Sequence, residues 1–277
     1  MVSEGIDMAS RAVLLLPVYN ESTTIIDVLE TADPFCDLIL VVDDGSRDAT
    51  RELLDGYARA HPQLFFVSHH TNRGMSGAIL TGFLILREGV RLGILNGDDI
   101  VVTMDSDGQH DPRDIPTLTQ ILKDKQADLV LGRRTFEKYP GVKRLGNWGL
   151  TLWASWWSGF RYQDAECGFR ALRVELLLDI LPYFNPTQYG LAQEMAVIAA
   201  RRSWRIINDV TIHVPRYRSG AKISNGFNNC LSAVRAWRRV SANHVVDHQL
   251  IWPDLLIPPS GADTKNDHPK WGLKGVF

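Results

Sequence analysis

The chain has 277 residues, 45% of them hydrophobic and 22% charged, and a formal net charge of −2. That length allows one large domain or two small ones with a substantial core, and the near-neutral balance excludes a protein that holds nucleic acid through its overall charge. Three widely spaced cysteines, Cys36, Cys167 and Cys230, exclude a disulfide framework or a cysteine zinc site and fit a reducing compartment.

The opening MVSEGIDMASR is too acidic and too poor in apolar residues for a signal peptide. No stretch approaches the ~20 apolar residues of a spanning helix, so a soluble or peripheral protein is expected. AVLLLP (Ala12 to Pro17) predicts a buried strand, followed by a helix capped by Ser22. LILVVDD (Leu38 to Asp44) predicts a second strand, with a helix opening near Asp48 and continuing through TRELLDGYARA. LFFVS (Leu64 to Ser68) leads into a glycine-rich turn and a helix over Ser76–Glu88. IVVTM (Ile100 to Met104) ends in an acidic segment, with a helix over Asp114–Lys125, and LVLG (Leu129 to Gly132) ends in Arg133 and Arg134. A further helix is expected over Pro186–Arg201 and a strand over Ile206–Pro215.

Runs of Val, Ile and Leu broken by helices mark a parallel sheet covered on both faces. The fold class is therefore α/β, doubly wound and mostly parallel. In such sheets the ligand sits beyond the carboxyl ends of the strands. It is there that PVYNES, DDGSRD, TNRGMSG, DSDGQHD and GRR fall. Residues 10–225 read as this domain, 226–248 as an amphipathic helix, and 249–277, rich in Pro, Gly and polar residues, as a poorly ordered tail.

The acidic segment MDSDGQHDP is the densest chemistry in the chain. In extended backbone Asp105 and Asp107 project to one side, and Gln109 joins them if the chain curls at Gly108. Two carboxylates and an amide oxygen suit a hard divalent cation, Mg²⁺ or Mn²⁺, shared with substrate phosphates. The alternatives are a solvated acidic turn, or helix capping by Asp111 and Asp114. An EF-hand is excluded, because the glycine falls too early and no Glu closes the loop. A dinucleotide-binding Rossmann site is disfavoured, since no G-x-G-x-x-G follows the first strand.

PVYNE, VVDDGSRDAT, NRGMSGAILTGF, MDSDGQHDP and ECGFRA stand in this order between Pro17 and Ala171. As an ordered set they resemble the inverting GT-A glycosyltransferases of family 2, a Rossmann-like fold, and most of all the polyprenyl-phosphate sugar transferases of the dolichol-phosphate mannosyltransferase type. The resemblance runs from Arg11 to Ile223. It implies a nucleotide-sugar pocket at Pro17, Tyr19, Glu21, Asp44 and Gly74, completed by Asp105. It implies a divalent ion on Asp105, Asp107 and Gln109. Arg134, Arg144, Arg218 and Lys222 would hold the acceptor phosphate and donor pyrophosphate, where guanidinium forks suit phosphate oxygens. Asp107, Asp164 and Arg218 carry the catalytic roles under this reading, Asp164 either positioning the acceptor or acting as base. A monophosphate is largely dianionic at neutral pH, its second pKa being about 6, so no strong base is required.

Two departures bear on the acceptor: Asn147 and Trp148 stand where the family has a Ser, and the last basic loop is shortened to RSGAK. Phe169 and Arg170 read as structural, and Glu194 is a further residue that could face the site. Trp148, Trp153, Trp156, Trp157 and Phe160, and a second segment from Phe227 to Val240 with Arg235, Arg238 and Arg239, suggest contact with a membrane surface. Packing of both helices onto the core or a partner is the alternative. The expected activity is transfer of a sugar from a nucleoside diphosphate to a polyprenyl phosphate, dolichyl or undecaprenyl, at the cytoplasmic membrane face, with a membrane-protein partner as a further possibility and no nucleic acid. The rivals are a GT-A enzyme with a saccharide or other soluble acceptor, and a non-catalytic nucleotide-binding subunit.

Overall fold

The strand β1 (Ala12–Val18) carries only apolar side chains, all but the first buried, which suits the middle of a sheet rather than its edge. The structure, a computed structural model, describes residues 10–135, 139–185, 190–215, 225–248 and 255–256, with backbone alone for 225–227 and 255–256. After β1 come α1 (Ile25–Ala32), β2 (Leu38–Asp43), α2 (Thr50–Ala60), β3 (Leu64–His69) and α3 (Gly74–Arg91). Next are β4 (Ile100–Thr103), α4 (Ile115–Asp124), β5 (Leu129–Arg134), α5 (Gly141–Ser158), β6 (Arg170–Arg173) and α6 (Leu177–Ile180). The chain continues with α7 (Leu191–Arg201), β7 (Ile206–Ile212), α8 (Asn225–Ser241) and β8 (Leu255–Leu256).

The strands form one sheet in the order β7-β5-β6-β4-β1-β2-β3-β8. β1, β2, β3 and β4 run parallel, as do β5 and β7, while β6 and the two-residue edge strand β8 run antiparallel to their neighbours. The expected doubly wound, mostly parallel architecture is thus present. Three short elements were not foreseen, α6, β8 and β6; the last begins at the end of ECGFRA and is wedged between β4 and β5. A four-residue strand that begins at Arg170 gives no alternating or long apolar signal. The side chain of Arg170 is buried and donates to the carbonyls of Ala165 and Cys167, which is the structural role expected of it.

A period of two divides the apolar side chains between the faces. Val13 and Leu15 join Leu40, Val42, Phe65 and Val67 under α3, while Leu14 and Leu16 join Ile39, Val41 and Phe66 under α1, α2 and α4. α3 lies close against β1, since a Cβ at Gly82 would fall 2.3 Å from Cδ1 of Leu15. A side chain at that position would force Leu15 to move.

Several boundaries differ from expectation. Ser22 does not cap α1; its backbone N–H donates to Oδ2 of Asp48, and the helix opens three residues later without a side-chain cap. α8 starts one residue before the expected amphipathic segment and ends seven residues before its close, and it packs against α5 and α7, with Ser232, Ala233 and Ala236 buried. Of residues 249–277 only Leu255 and Leu256 are described, and they pair with the edge of β3 at His69 and Ser68. Among the described residues no helix is long and apolar enough to cross a membrane.

Candidate active site

Register sets the site. Val18 pairs with Asp43 and Asp43 with Ser68, so Tyr19, Asp44 and His69 leave the sheet side by side. Leu15 pairs with Thr103, which brings Asp105 level with Pro17. Thr103 and Leu131 both pair with Arg170, which places Arg134 beyond the same sheet end. The carboxyl ends of the parallel strands therefore converge as the topology demands.

On the β1–β2–β3 side, Pro17 is buried and its carbonyl accepts from Oγ of Ser106 at 2.8 Å. Tyr19 is exposed, and the Glu21 carboxylate accepts from Oγ1 of Thr24 at 2.8 Å. Asp43 and Asp44 are both buried. Asp43 accepts from the N–H of Ser46, whereas Oδ1 of Asp44 takes the N–H of Arg73 at 2.8 Å and lies 2.7 Å from Nδ1 of His69. Gly74 has a positive φ of 79° and opens α3, its N–H donating to the Asn72 side chain. A cavity of about 210 Å³ lies here, lined by Asp43, Gly45, Arg47, His69 and Asn72 among others.

At the end of β4, Asp105 is half-buried, and a Cβ at Gly168 would sit 2.8 Å from its Oδ1. Its backbone N–H donates to Nδ1 of His110. Its carboxylate accepts no hydrogen bond among the described residues, and Oδ2 lies 3.7 Å from Nδ1 of that same imidazole. Burial pushes the Asp105 carboxyl upward against the pull of Arg134 and Arg170. His110 offers it no compensating charge, because burial holds that imidazole down at about 4. Asp107 and Gln109 form a unit: Oδ1 of Asp107 accepts the Gln109 backbone N–H at 2.9 Å and Oδ2 the Gln109 amide at 2.6 Å.

These residues fit a hard divalent cation. They are oxygen donors in one turn, and one of the carboxylates is left without a donor, a costly state unless a cation completes it. Among the described residues no group of three or more His, Cys, Asp or Glu could hold an ion unaided. An ion at Asp105 and Asp107 would leave coordination positions for other oxygen donors, water or phosphate among them.

At the end of β5 the arrangement is different in kind. Nε of Arg134 donates to Oδ2 of Asp164 at 2.7 Å and Nη2 to Oδ1 at 2.8 Å, with the Arg134 backbone N–H adding a third bond. Asn147 bridges the pair, accepting from Arg134 at 2.9 Å and donating to Asp164 at 3.1 Å. Burial alone would raise the Asp164 carboxyl, but Arg134 and Asn147 hold it below its ordinary value. The same pairing raises Arg134 above its ordinary range despite burial. Two residues expected in separate roles are thus one ion pair. Asn147, read from sequence only as a departure from pattern, is its third member.

Glu166 is a second residue that sequence reading passed over. Its carboxylate accepts from the amides of Gln193 at 2.5 Å and Asn229 at 3.0 Å, tying the loop before β6 to α7 and α8, and burial raises its carboxyl. Its place inside ECGFRA was the available signal. Glu194 does not face the site. It is fully buried, accepts from the Asn185 N–H, and pairs with Arg239 of α8 at 2.6 Å. Arg144 is exposed on α5. Arg218 and Lys222 lie outside the described residues.

α5 buries Thr151, Ala154 and Ser158 and exposes the opposite side: Val142, Leu145, Trp148, Leu152 and Trp156, the last at 82%. Lys143, Arg144 and Arg161 flank it.

A family model described as glycosyl transferase family 2 matches residues 13–168. The chain is 31% identical over 225 residues to an undecaprenyl-phosphate mannosyltransferase of Micrococcus luteus, covering 78% of this chain and 88% of that one. It is 29% identical to a UDP-N-acetylglucosamine–dolichyl-phosphate N-acetylglucosaminyltransferase of Methanococcus voltae, covering 72% and 84%. Among solved structures, glucosyl-3-phosphoglycerate synthase of Mycobacterium tuberculosis bound to phosphoglyceric acid superimposes with a TM-score of 0.62 at 20% identity, covering 91% of this chain and 82% of that one. The same enzyme with Mn²⁺ and UDP-glucose gives 0.57 at 20% identity. These structures show that the fold is shared.

Proposed function

This chain belongs to glycosyl transferase family 2 and is a glycosyltransferase, and from that premise we propose that it transfers a sugar, with inversion, from a nucleoside diphosphate to a polyprenyl phosphate at the cytoplasmic membrane face. The relatives from Micrococcus luteus and Methanococcus voltae, whose names specify such lipid acceptors, support the acceptor class. One observation within the chain carries the choice of a phosphate over a saccharide. The two carboxylates that the sequence offered as base for a hydroxyl are both held in ion pairs, Asp164 with Arg134 and Glu194 with Arg239. A hydroxyl nucleophile needs a base with a pKa near the working pH, and Asp164 is held in the opposite direction. A phosphate dianion needs only alignment and charge complementarity.

In this reading Asp105, Asp107 and Gln109 hold a Mg²⁺ or Mn²⁺ ion, which supplies Lewis-acid neutralisation of the departing nucleoside diphosphate. Tyr19 offers a face to the base and Asp44 an acceptor for its N–H groups. Asp164 and Asn147 fix the Arg134 guanidinium in one orientation beside the reacting phosphates, with Arg144, Arg218 and Lys222 completing the basic set. The exposed face of α5, Trp flanked by Lys and Arg, rests at the lipid interface, where aromatic and basic side chains are both favoured. α8, whose buried side packs on α5 and α7, supports that helix.

The test incubates the purified chain with radiolabelled sugar nucleotides and a panel of polyprenyl phosphates, with and without chelator, and extracts product into organic solvent. Metal-dependent label in the organic phase is expected. Label transferred only to a water-soluble acceptor would reject the lipid assignment, and undiminished transfer after exhaustive chelation would reject the metal. Binding to anionic vesicles, reduced several-fold by Trp156→Ser without a change in melting temperature, is expected of the α5 face.

A further inference from the structure

We infer that His69 and Thr81 are positioning residues that aim Asp44 at the nucleobase of the donor, and so set which base is accepted. The inference rests on the reading above that Asp44 meets a nucleotide. Asp44, His69 and Thr81 are all buried, at 2%, 1% and 5% relative exposure. They form a chain across three elements. Oδ1 of Asp44, just past β2, lies 2.7 Å from Nδ1 of His69 at the end of β3. Nε2 of the same ring lies 2.9 Å from Oγ1 of Thr81 inside α3.

Donor and acceptor chemistry fixes the direction of the first bond, and the neutral ring fixes that of the second. A carboxylate accepts only, so Nδ1 of His69 carries the proton, and in the neutral ring Nε2 then accepts from the Thr81 hydroxyl. Thr81 thereby selects the tautomer that can hold Asp44. The Arg73 N–H adds a second donor to the same Oδ1 at 2.8 Å. The Asp44 backbone is pinned as well, its N–H donating to the Val18 carbonyl at 2.7 Å. Every one of these side-chain bonds falls on Oδ1, and Oδ2 accepts none among the described residues. A buried carboxylate clamped through one oxygen, with the other unused, is built to present that second oxygen to a ligand donor. Tyr19, which leaves β1 beside it, is exposed enough to cover the base. A site whose buried acceptor must be matched by a base N–H discriminates sharply against bases lacking one there, because a mismatched base leaves that oxygen unpaired.

Thr81→Val keeps the side-chain shape and removes the hydroxyl, Thr81→Ser keeps the hydroxyl, and His69→Asn retains a donor without a ring. Calorimetric titration of the full chain with UDP, GDP, CDP and ADP in Mn²⁺, alongside melting temperature, separates the possibilities. Thr81→Val is expected to reduce the ratio of affinities for the preferred over the other nucleotides by roughly tenfold, Thr81→Ser by less than about threefold, and His69→Asn by more than Thr81→Val; one hydrogen bond of about 1.4 kcal/mol corresponds to tenfold. With donor sugar, KM should rise while kcat changes less, since positioning of the base is a binding function. A parallel loss for all four nucleotides, or an unchanged ratio in Thr81→Val, would overturn the positioning role while leaving the transferase reading intact. Binding without base preference in the unaltered chain would overturn it also. No binding of any nucleoside diphosphate would overturn both.

Discussion

Asp105 and Asp164 are the same residue type at the same end of one sheet, and the chain treats them in opposite ways. Asp164 is buried, receives both arms of Arg134 and the Asn147 amide, and is held below its ordinary pKa. Asp105 receives no donor to its carboxylate among the described residues and is pushed above its ordinary pKa. A satisfied carboxylate belongs to the architecture, whereas an unsatisfied one is a cost that folding carries for a ligand. The first holds Arg134 still; the second is the carboxylate that, under the proposed function, a cation would complete.

That contrast can be broken most sharply by neutralising each acid in turn. Asp105→Asn is expected to lower transfer by about a thousandfold, the scale of losing a transition-state charge contact. It should leave the stability of the ligand-free protein unchanged or higher, by up to about 1 kcal/mol, since a strained charge is removed. A matching loss of stability would show that Asp105 is structural after all. Asp164→Asn should do the reverse in stability, costing about 3 kcal/mol, because Arg134 is left buried beside a neutral partner; denaturant titration reads this directly. An unaltered midpoint would mean that the pair is not formed.

A subtler version uses pH. The Asp164 carboxyl is depressed in the folded state, so its contribution is fully present above the unfolded value of about 3.9 and is lost as pH falls through the folded one. Acid titration of the Asp164→Asn variant should therefore show a flatter stability decline below pH 4 than the unaltered chain. Equal slopes would remove Asp164 from the acid limb. The smallest effect belongs to Asn147→Ala, about 1 kcal/mol for bridging bonds that water can partly replace. It should raise the KM for acceptor more than that for donor if Arg134 serves the acceptor side.

The same comparison separates two helices with alike sequence signals. α5 and α8 both pair aromatic or apolar residues with basic ones at helical spacing. α8 packs its small residues on α5 and α7 and spends Arg239 on Glu194. α5 leaves Trp148 and Trp156 outward. Periodicity reports that one face differs from the other; it does not report which face meets protein.

Sequence alone determined the strand–helix alternation, because continuous Val/Ile/Leu runs have no stable place except a sheet covered on both sides. It also determined that the acidic, glycine-bearing segments stand together at the strand ends, since parallel topology carries every such segment to one edge. Only the tertiary structure decided how the charges pair. Arg134 with Asp164, Glu194 with Arg239, and Asp44 with His69 and Thr81 join residues 12 to 45 positions apart on different elements. Register and packing set such contacts, and no local propensity records them. The insertion of β6 and the choice of α5 as the outward helix have the same cause: each depends on which neighbour is already in place.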